Sequence, residues 1–176
     1  MADAAATRGF TLIELLVTLS IAAILLAVAV PNFITFVQNN RLASQANDLI
    51  TMMNYARSEA VKRNQQITVC SRATDTSCSG TANWDTGSLV FADNDGDGIA
   101  DPGEEVLQVR QPLENGNTLR ATARTNIPYQ ANGFLAVAGA NETFRLCDTR
   151  GIASGRAIDV SMQGRVSTTV GTLQCP

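Results

Sequence analysis

Hydrophobic and polar positions divide this chain into three stretches. From Phe10 to Val30 the sequence is apolar for 21 residues, with Glu14 as its single charge. After Pro31 polar residues appear, but apolar ones recur at Leu42, Ala46, Leu49, Met53, Ala56 and Ala60. Steps of four and three place these on one helix face. Asn39, Asn40, Arg41, Asp48, Arg57, Glu59, Lys62 and Arg63 fall largely off it. From Gln66 onward the spacing changes to short runs bounded by turn residues. The pattern predicts a helix over 10–30, an amphipathic continuation over 31–64 and a β-rich head over 65–176. Pro31 has no N–H to donate and predicts a bend in the helix. Arg63-Asn64-Gln65 predicts its end.

In the head, strands are expected at Gln66–Cys70, Ser88–Ala92, Glu105–Arg110, Thr118–Ala123, Thr143–Cys147, Ala157–Met162 and Arg165–Val170. Asp97-Gly98, Asn115-Gly116, Asn132-Gly133 and Gln163-Gly164 supply turn signals between them. The last two strands flank only Gln163-Gly164, which predicts a two-residue hairpin. The expected fold class is α+β, a long helix packed on an antiparallel sheet.

The first apolar run is long enough to cross a bilayer. Arg8 lies just before it and no basic residue follows until Arg41. The positive-inside bias therefore keeps the N-terminus in the cytoplasm. Three readings of the run compete. A cleaved secretory signal would use Ala27-Val28-Ala29 as its small-x-small site. The run is longer than a usual signal core, however, and holds a carboxylate. A plain anchor explains the length but leaves Glu14 as a cost, since a charge inside a span calls for a partner. In the third reading the chain is cut between Gly9 and Phe10. The new α-amino group on Phe10 of one subunit then pairs with Glu14 of its neighbour, which also fixes their register.

The string Gly9-Phe10-Thr11-Leu12-Ile13-Glu14 resembles the prepilin motif of type IV pilins and type II secretion pseudopilins. The resemblance implies a leader over 1–9, removed by a prepilin peptidase that also methylates Phe10. It implies that Glu14 sets assembly register and that Pro31 is the helix-kinking proline of such filament-core helices. The implied locations are the inner membrane with a periplasmic head before assembly, then a surface pilus or a periplasmic pseudopilus.

Further along, the segment from Asn54 to Arg63 (NYARSEAVKR) is followed by Ile67-Thr68-Val69-Cys70, Trp84, Val90-Phe91-Ala92-Asp93 and an Asp/Gly-rich turn. Leu146-Cys147-Asp148 then precedes Gly155-Arg156-Ala157-Ile158 and Gly164-Arg165-Val166. This series is similar to the GspH/FimT family of minor pilins and pseudopilins. It is weakest over Thr118–Ala140. The family implies a type IV pilin fold, a structural role and other major and minor pilins or pseudopilins as partners.

Four cysteines, Cys70, Cys78, Cys147 and Cys175, form no C-x-x-C pair. Behind a membrane or export segment an even count points to disulfides. Of the three pairings, Cys70–Cys78 with Cys147–Cys175 closes the shortest loops, and the second bond pins the tail. Each contributes about 2–4 kcal/mol.

Composition removes most chemistry. The chain has no histidine, which rules out Ser-His-Asp and Cys-His catalysis and histidine metal sites. It has no Gly-rich phosphate loop and no nucleophile beside a base, so no enzyme and no organic cofactor are expected. Asp93-Asn94-Asp95-Gly96-Asp97-Gly98-Ile99 through Glu104 does fit a calcium-loop pattern. There Asp93, Asp95, Asp97, Glu104 and the Ile99 carbonyl would be ligands. The other reading is an acidic turn without metal, favoured by Pro102 and by flanking strands in place of helices.

Net charge is −3, which gives no general case for nucleic acid. Its distribution is uneven. Six of sixteen acids lie in Asp93–Glu105, whereas Arg110 to Arg165 holds seven arginines against four acids. Some FimT-type pilins bind DNA through Gly-Arg-x-Arg near the C-terminus. This chain has Gly164-Arg165-Val166-Ser167 and lacks the second arginine. Arg156 and Arg165 are the candidates for DNA contact; the alternative is arginines that keep strand edges solvated. The sequence thus reads as a minor pilin of a type IV pilus, serving assembly, twitching or DNA uptake. Its rival is an H-type pseudopilin of type II secretion.

Overall fold

Thr11 opens a single long helix, α1 (Leu12–Arg63), and its carbonyl accepts the first backbone bond, from Leu15 N–H at 3.2 Å. The helix closes at Asn64, which takes φ 52°, while Gln65 N–H reaches back to Ala60 O at 3.3 Å. That is a Schellman ending, with asparagine tolerating the left-handed position. The computed structural model describes residues 9–136, 141–171 and 174–175. Arg8, the rest of the leader, and 137–140 within the stretch Thr118–Ala140 lie outside the described residues.

The chain divides into two units, Met1–Asn40 and Arg41–Pro176. In the first, every residue from Gly9 to Val37 is exposed. This part of α1 is long and apolar enough to cross a membrane. Its few polar side chains turn onto their own helix. Thr18, Ser20, Asn32 and Thr35 donate to the carbonyls of Leu15, Leu16, Val28 and Pro31 at 2.8–3.0 Å. Such back-bonding satisfies a hydroxyl or amide in apolar surroundings. Pro31 lies inside the helix.

In the second unit the six apolar positions of the helix face are all buried, joined by Met52. Glu59 departs from the expected pattern, being 7% exposed on that same face. Lys62 Nζ at 3.2 Å and Arg63 Nε at 2.6 Å supply the cations that allow a carboxylate there.

Nine strands follow: β1 (Ile67–Thr74), β2 (Ser77–Cys78), β3 (Ser88–Ala92), β4 (Val106–Arg110), β5 (Thr118–Ala121), β6 (Asn126–Tyr129), β7 (Glu142–Cys147), β8 (Arg156–Val160) and β9 (Val166–Val170). They form two antiparallel sheets. The first has the order β2-β1-β3-β4, with β6 also pairing β1. The second is β5-β7-β8-β9. The main core joins the α1 face to both sheets through Ile67, Val69, Val90, Ile127, Leu119, Phe144, Leu146, Ile158 and Val160. A smaller cluster, Cys70, Leu89 and Phe91, lies under Val106 and Val109. With apolar neighbours on both faces, β3 is buried along its whole length.

The fold is the expected α helix on antiparallel β, but the strands separate into two sheets. Two strands escaped the sequence pattern. β2 is only two residues long, and β6 contains Pro128, which argues against a strand unless it lies at an edge. The final hairpin also differs. Ser161 N–H bonds Arg165 O at 2.9 Å and Gly164 N–H bonds Ser161 O at 2.8 Å. The loop is therefore the three residues Met162-Gln163-Gly164, with Gly164 at φ 73°. This is the longer hairpin type that needs glycine at its last position. Both disulfides form, Cys70–Cys78 and Cys147–Cys175, with Cα separations of 5.7 and 6.0 Å.

Candidate functional site

Glu14 is engaged within its own helix start. Its Oε2 accepts from Thr11 N–H at 2.9 Å and from the Thr11 hydroxyl at 2.8 Å. Glu14 N–H in turn reaches Thr11 Oγ1 at 3.3 Å. These are the reciprocal bonds of a capping box, which satisfy donors that no helical carbonyl can reach. Thr11 is the functional residue that the sequence reading missed. Its signal was the T-x-x-E spacing from Thr11 to Glu14, read only as part of a larger motif. Phe10 and Gly9 are exposed beside it.

The acidic loop between β3 and β4 is folded around its own carboxylates. Asp93 is buried. Its Oδ2 accepts from Thr68 Oγ1 at 2.6 Å, Gln66 Nε2 at 2.9 Å and Gly98 N–H at 3.1 Å. Its Oδ1 accepts from Gly96 N–H at 2.8 Å. Asp97 accepts from Ile99 N–H at 2.7 Å and Asp95 from Asp97 N–H at 3.3 Å. Glu104 holds Asn94 N–H at 2.7 Å and Asp101 N–H at 3.1 Å. One oxygen each from Asp93, Asp95 and Asp97 lies within 4.8 Å of the others. The structure thus gathers three of the five residues proposed for a cation, and spends Glu104 on backbone donors.

The two candidate DNA arginines differ. Arg156 Nη1 donates to Ser154 O at 2.9 Å and Gly155 O at 3.2 Å, so its guanidinium bridges its own loop. Arg165 is exposed and lines a shallow cleft with Ser161, Val166 and Ser167. The preceding Gly164 is structural. A Cβ there would sit 2.2 Å from Gly133 O and 3.1 Å from both Arg57 Nε and Tyr129 Cε1. Arg57 Nε meanwhile donates to Gly133 O at 2.9 Å, tying α1 to the loop after β6.

Other arginines are spent on acids. Arg120 pairs with Asp85, Arg124 Nε lies 3.8 Å from buried Glu142, and Arg150 Nη2 lies 2.7 Å from Asp148. Burial works against the charge on Asp148, but the Arg150 side chain and N–H outweigh it and hold the carboxyl below its ordinary range. Burial raises the Tyr129 phenol well above its ordinary value, and its hydroxyl is without a partner among the described residues. Trp84 is buried edge-on to Phe144, with ring centroids 4.9 Å apart.

An exposed apolar helix opened by a Gly-Phe-x-x-x-Glu motif, continuing as the spine of a two-sheet head, defines a protein of the type IV pilin fold. The family model for the type II transport protein GspH matches residues 45–164, and that for the prokaryotic N-terminal methylation motif matches residues 5–30. The chain belongs to the GspH family. Two crystal structures of the type IV minor pilin FimU from Pseudomonas aeruginosa PAO1 share its fold. One, in space group P65, is 24% identical with a TM-score of 0.60, covering 77% of this chain and 100% of that one. The other, in space group P21, is 23% identical with a TM-score of 0.63, covering 80% and 99%. No curated protein matches the chain.

Proposed function

We propose that this chain is a minor pilin, a structural or priming subunit of a type IV pilus. A prepilin peptidase cuts after Gly9 and methylates Phe10. The helix anchors the subunit in the inner membrane with its head in the periplasm until it joins other pilins. The carrying observation is that one chain joins a methylation-motif match over 5–30 to a GspH match over 45–164, through a fully exposed apolar helix. Such a surface is stable only in lipid or against other helices.

Co-expression with a prepilin peptidase tests the processing. The expected product has lost residues 1–9 and gained one methyl group at Phe10, as read by intact mass. An uncut chain, or one cut after Ala29, would remove the reading.

A second reading, an H-type pseudopilin of type II secretion, is favoured by the family description itself. Deletion of the gene separates the two. Loss of surface pili with secretion intact identifies the pilus subunit, and the reverse identifies the pseudopilin. Within the pilus reading, DNA uptake rests on exposed Arg165 alone, because Arg156 is turned onto its own loop. Salt-sensitive DNA binding lost in Arg165→Ala would support it.

A further inference from the structure

The outward face of the second sheet carries a cleft of about 690 Å³, a size usual for ligand sites. Its origin is a row of side chains across the sheet. Register places Arg120 opposite Arg145, Arg145 opposite Ala157, and Ala157 opposite Thr169. Alternation sends Phe144, Leu146 and Ile158 into the core, so this row faces away from it. Small Ala157 and Thr169 beside long Arg145 leave the hollow. Gln174 lines it too, near the disulfide-held Cys175.

Arg145 is the unusual member. Its cross-strand neighbour is another arginine, an unfavourable facing unless a charge is neutralised. Arg120 has Asp85 for that purpose. Arg145 has no carboxylate within ion-pair distance among the described residues. Its Nη1 reaches Gln174 Oε1 at 3.1 Å, while its Nε is buried without a partner. The acid lining the same cleft, Asp159, accepts the Thr143 hydroxyl at 2.5 Å. A buried guanidinium N–H left unpaired is costly, and a carboxylate is the group that best matches its fork.

We propose that this cleft receives a carboxylate of the acidic loop of a second copy of this chain, with Arg145 as its anchor. The assignment rests on the reading of the chain as a filament subunit. Charge selects the occupant. The loop holds six of the sixteen acids of the chain, and Asp95, Asp97 and Asp101 are exposed. Apolar contact supports it: Ile99 is 55% exposed within the loop, and Val170 is 74% exposed at the cleft. Loop and cleft belong to different sheets and share no residue. One copy therefore offers its loop while its own cleft is filled by the next. Such a heterologous contact builds a series of subunits, not an isologous pair.

The test uses the full chain in detergent micelles, with both disulfides formed, and measures association by sedimentation velocity. Two variants reverse the two sides: Arg145→Glu, and Asp95→Lys combined with Asp97→Lys. We expect each alone to associate about tenfold more weakly than the natural chain. We expect the two mixed together to recover association, because opposite charges meet again. High salt should weaken the natural contact. A natural chain that stays monomeric, variants that associate unchanged, or no recovery on mixing would each overturn the proposal. Arg145→Gln, close in volume and uncharged, replaces the glutamate variant if that one fails to fold, with weaker association again expected. Peptidase cleavage is read on the same preparations, so failure of the pilin reading is seen separately from failure of the contact.

Discussion

The Thr11 hydroxyl and the Glu14 carboxylate lie 2.8 Å apart and cap the start of α1 together. The carboxylate expected to pair with a neighbouring subunit therefore already has a task in the isolated chain. The two roles are compatible, since a carboxylate can accept several bonds. They separate by substitution. Glutamine keeps a capping box but carries no charge. Glu14→Gln should be cleaved and methylated normally yet fail to enter filaments, as Glu14→Ala does. Thr11→Ala should cost the helix start about 1 kcal/mol and still assemble. Mature mass and the filament fraction of each variant check this. Assembly of Glu14→Gln at natural levels would leave capping as its whole role.

Asp93 holds four donors from β1 and from its own loop. Asp93→Ala leaves the buried Thr68 hydroxyl and two glycine N–H groups without that acceptor. A loss of about 2–4 kcal/mol is expected, given 1–3 for each buried group left unpaired and partial rescue by water. Urea unfolding measures it. A change within 0.5 kcal/mol, the usual range for surface positions, would show that the loop does not depend on Asp93.

Calcium provides a second probe of this loop. Its carboxylates already hold Gly96, Gly98, Ile99, Asn94 and Asp101 N–H groups in place. We expect the thermal midpoint to be the same in millimolar calcium and in chelator. A rise of several degrees would assign a cation to Asp93, Asp95 and Asp97.

Gly164→Ala should destabilise the head by about 1–3 kcal/mol, because the new methyl meets Gly133 O and the turn requires positive φ. Arg165→Ala, one residue on and exposed, should change stability by less than about 0.5 kcal/mol. Thermal unfolding of the pair checks this contrast.

Acid should unfold the head through Glu59 and Asp148. Arg63 and then Lys62 hold the Glu59 carboxyl below the ordinary carboxylate range, against burial. Asp148 is held low by Arg150 despite its burial. Groups with folded values below their unfolded ones stabilise above the unfolded value and lose that contribution as pH falls through the folded value. Stability should be level near neutrality and decline below about pH 4. Glu59→Gln should flatten the decline; an unchanged acid limb would exclude Glu59 as a contributor.

Much of the molecule was legible because it is local or periodic. The 4-3-4-3-4 spacing from Leu42 to Ala60 fixes one buried face, and all six positions lie in the core. Asn64 and Gln65 end the helix where the pattern stops. Ser88–Ala92 is β3 residue for residue, and Asn115-Gly116 takes positive φ at Asn115 and Gly116. The errors arose where partners decide. Glu59 is buried because two cations follow within one helical turn, which outweighs its polarity. β6 forms despite Pro128 because Asn126 to Tyr129 find β1 as their partner.

By itself, then, the sequence determined the apolar helix, its Gly9–Glu14 start, the amphipathic face, most strands and the disulfide loops. Those features depend on side-chain periodicity, short spacings and covalent chemistry, all of which survive in one dimension. The tertiary structure decided how the strands divide between two sheets. It decided that Arg156 is occupied while Arg165 is open, and that Arg145 stands opposite Arg120 over a hollow left by Ala157. Those outcomes depend on cross-strand register, which joins residues 25 and 12 positions apart through backbone bonds that no local pattern encodes.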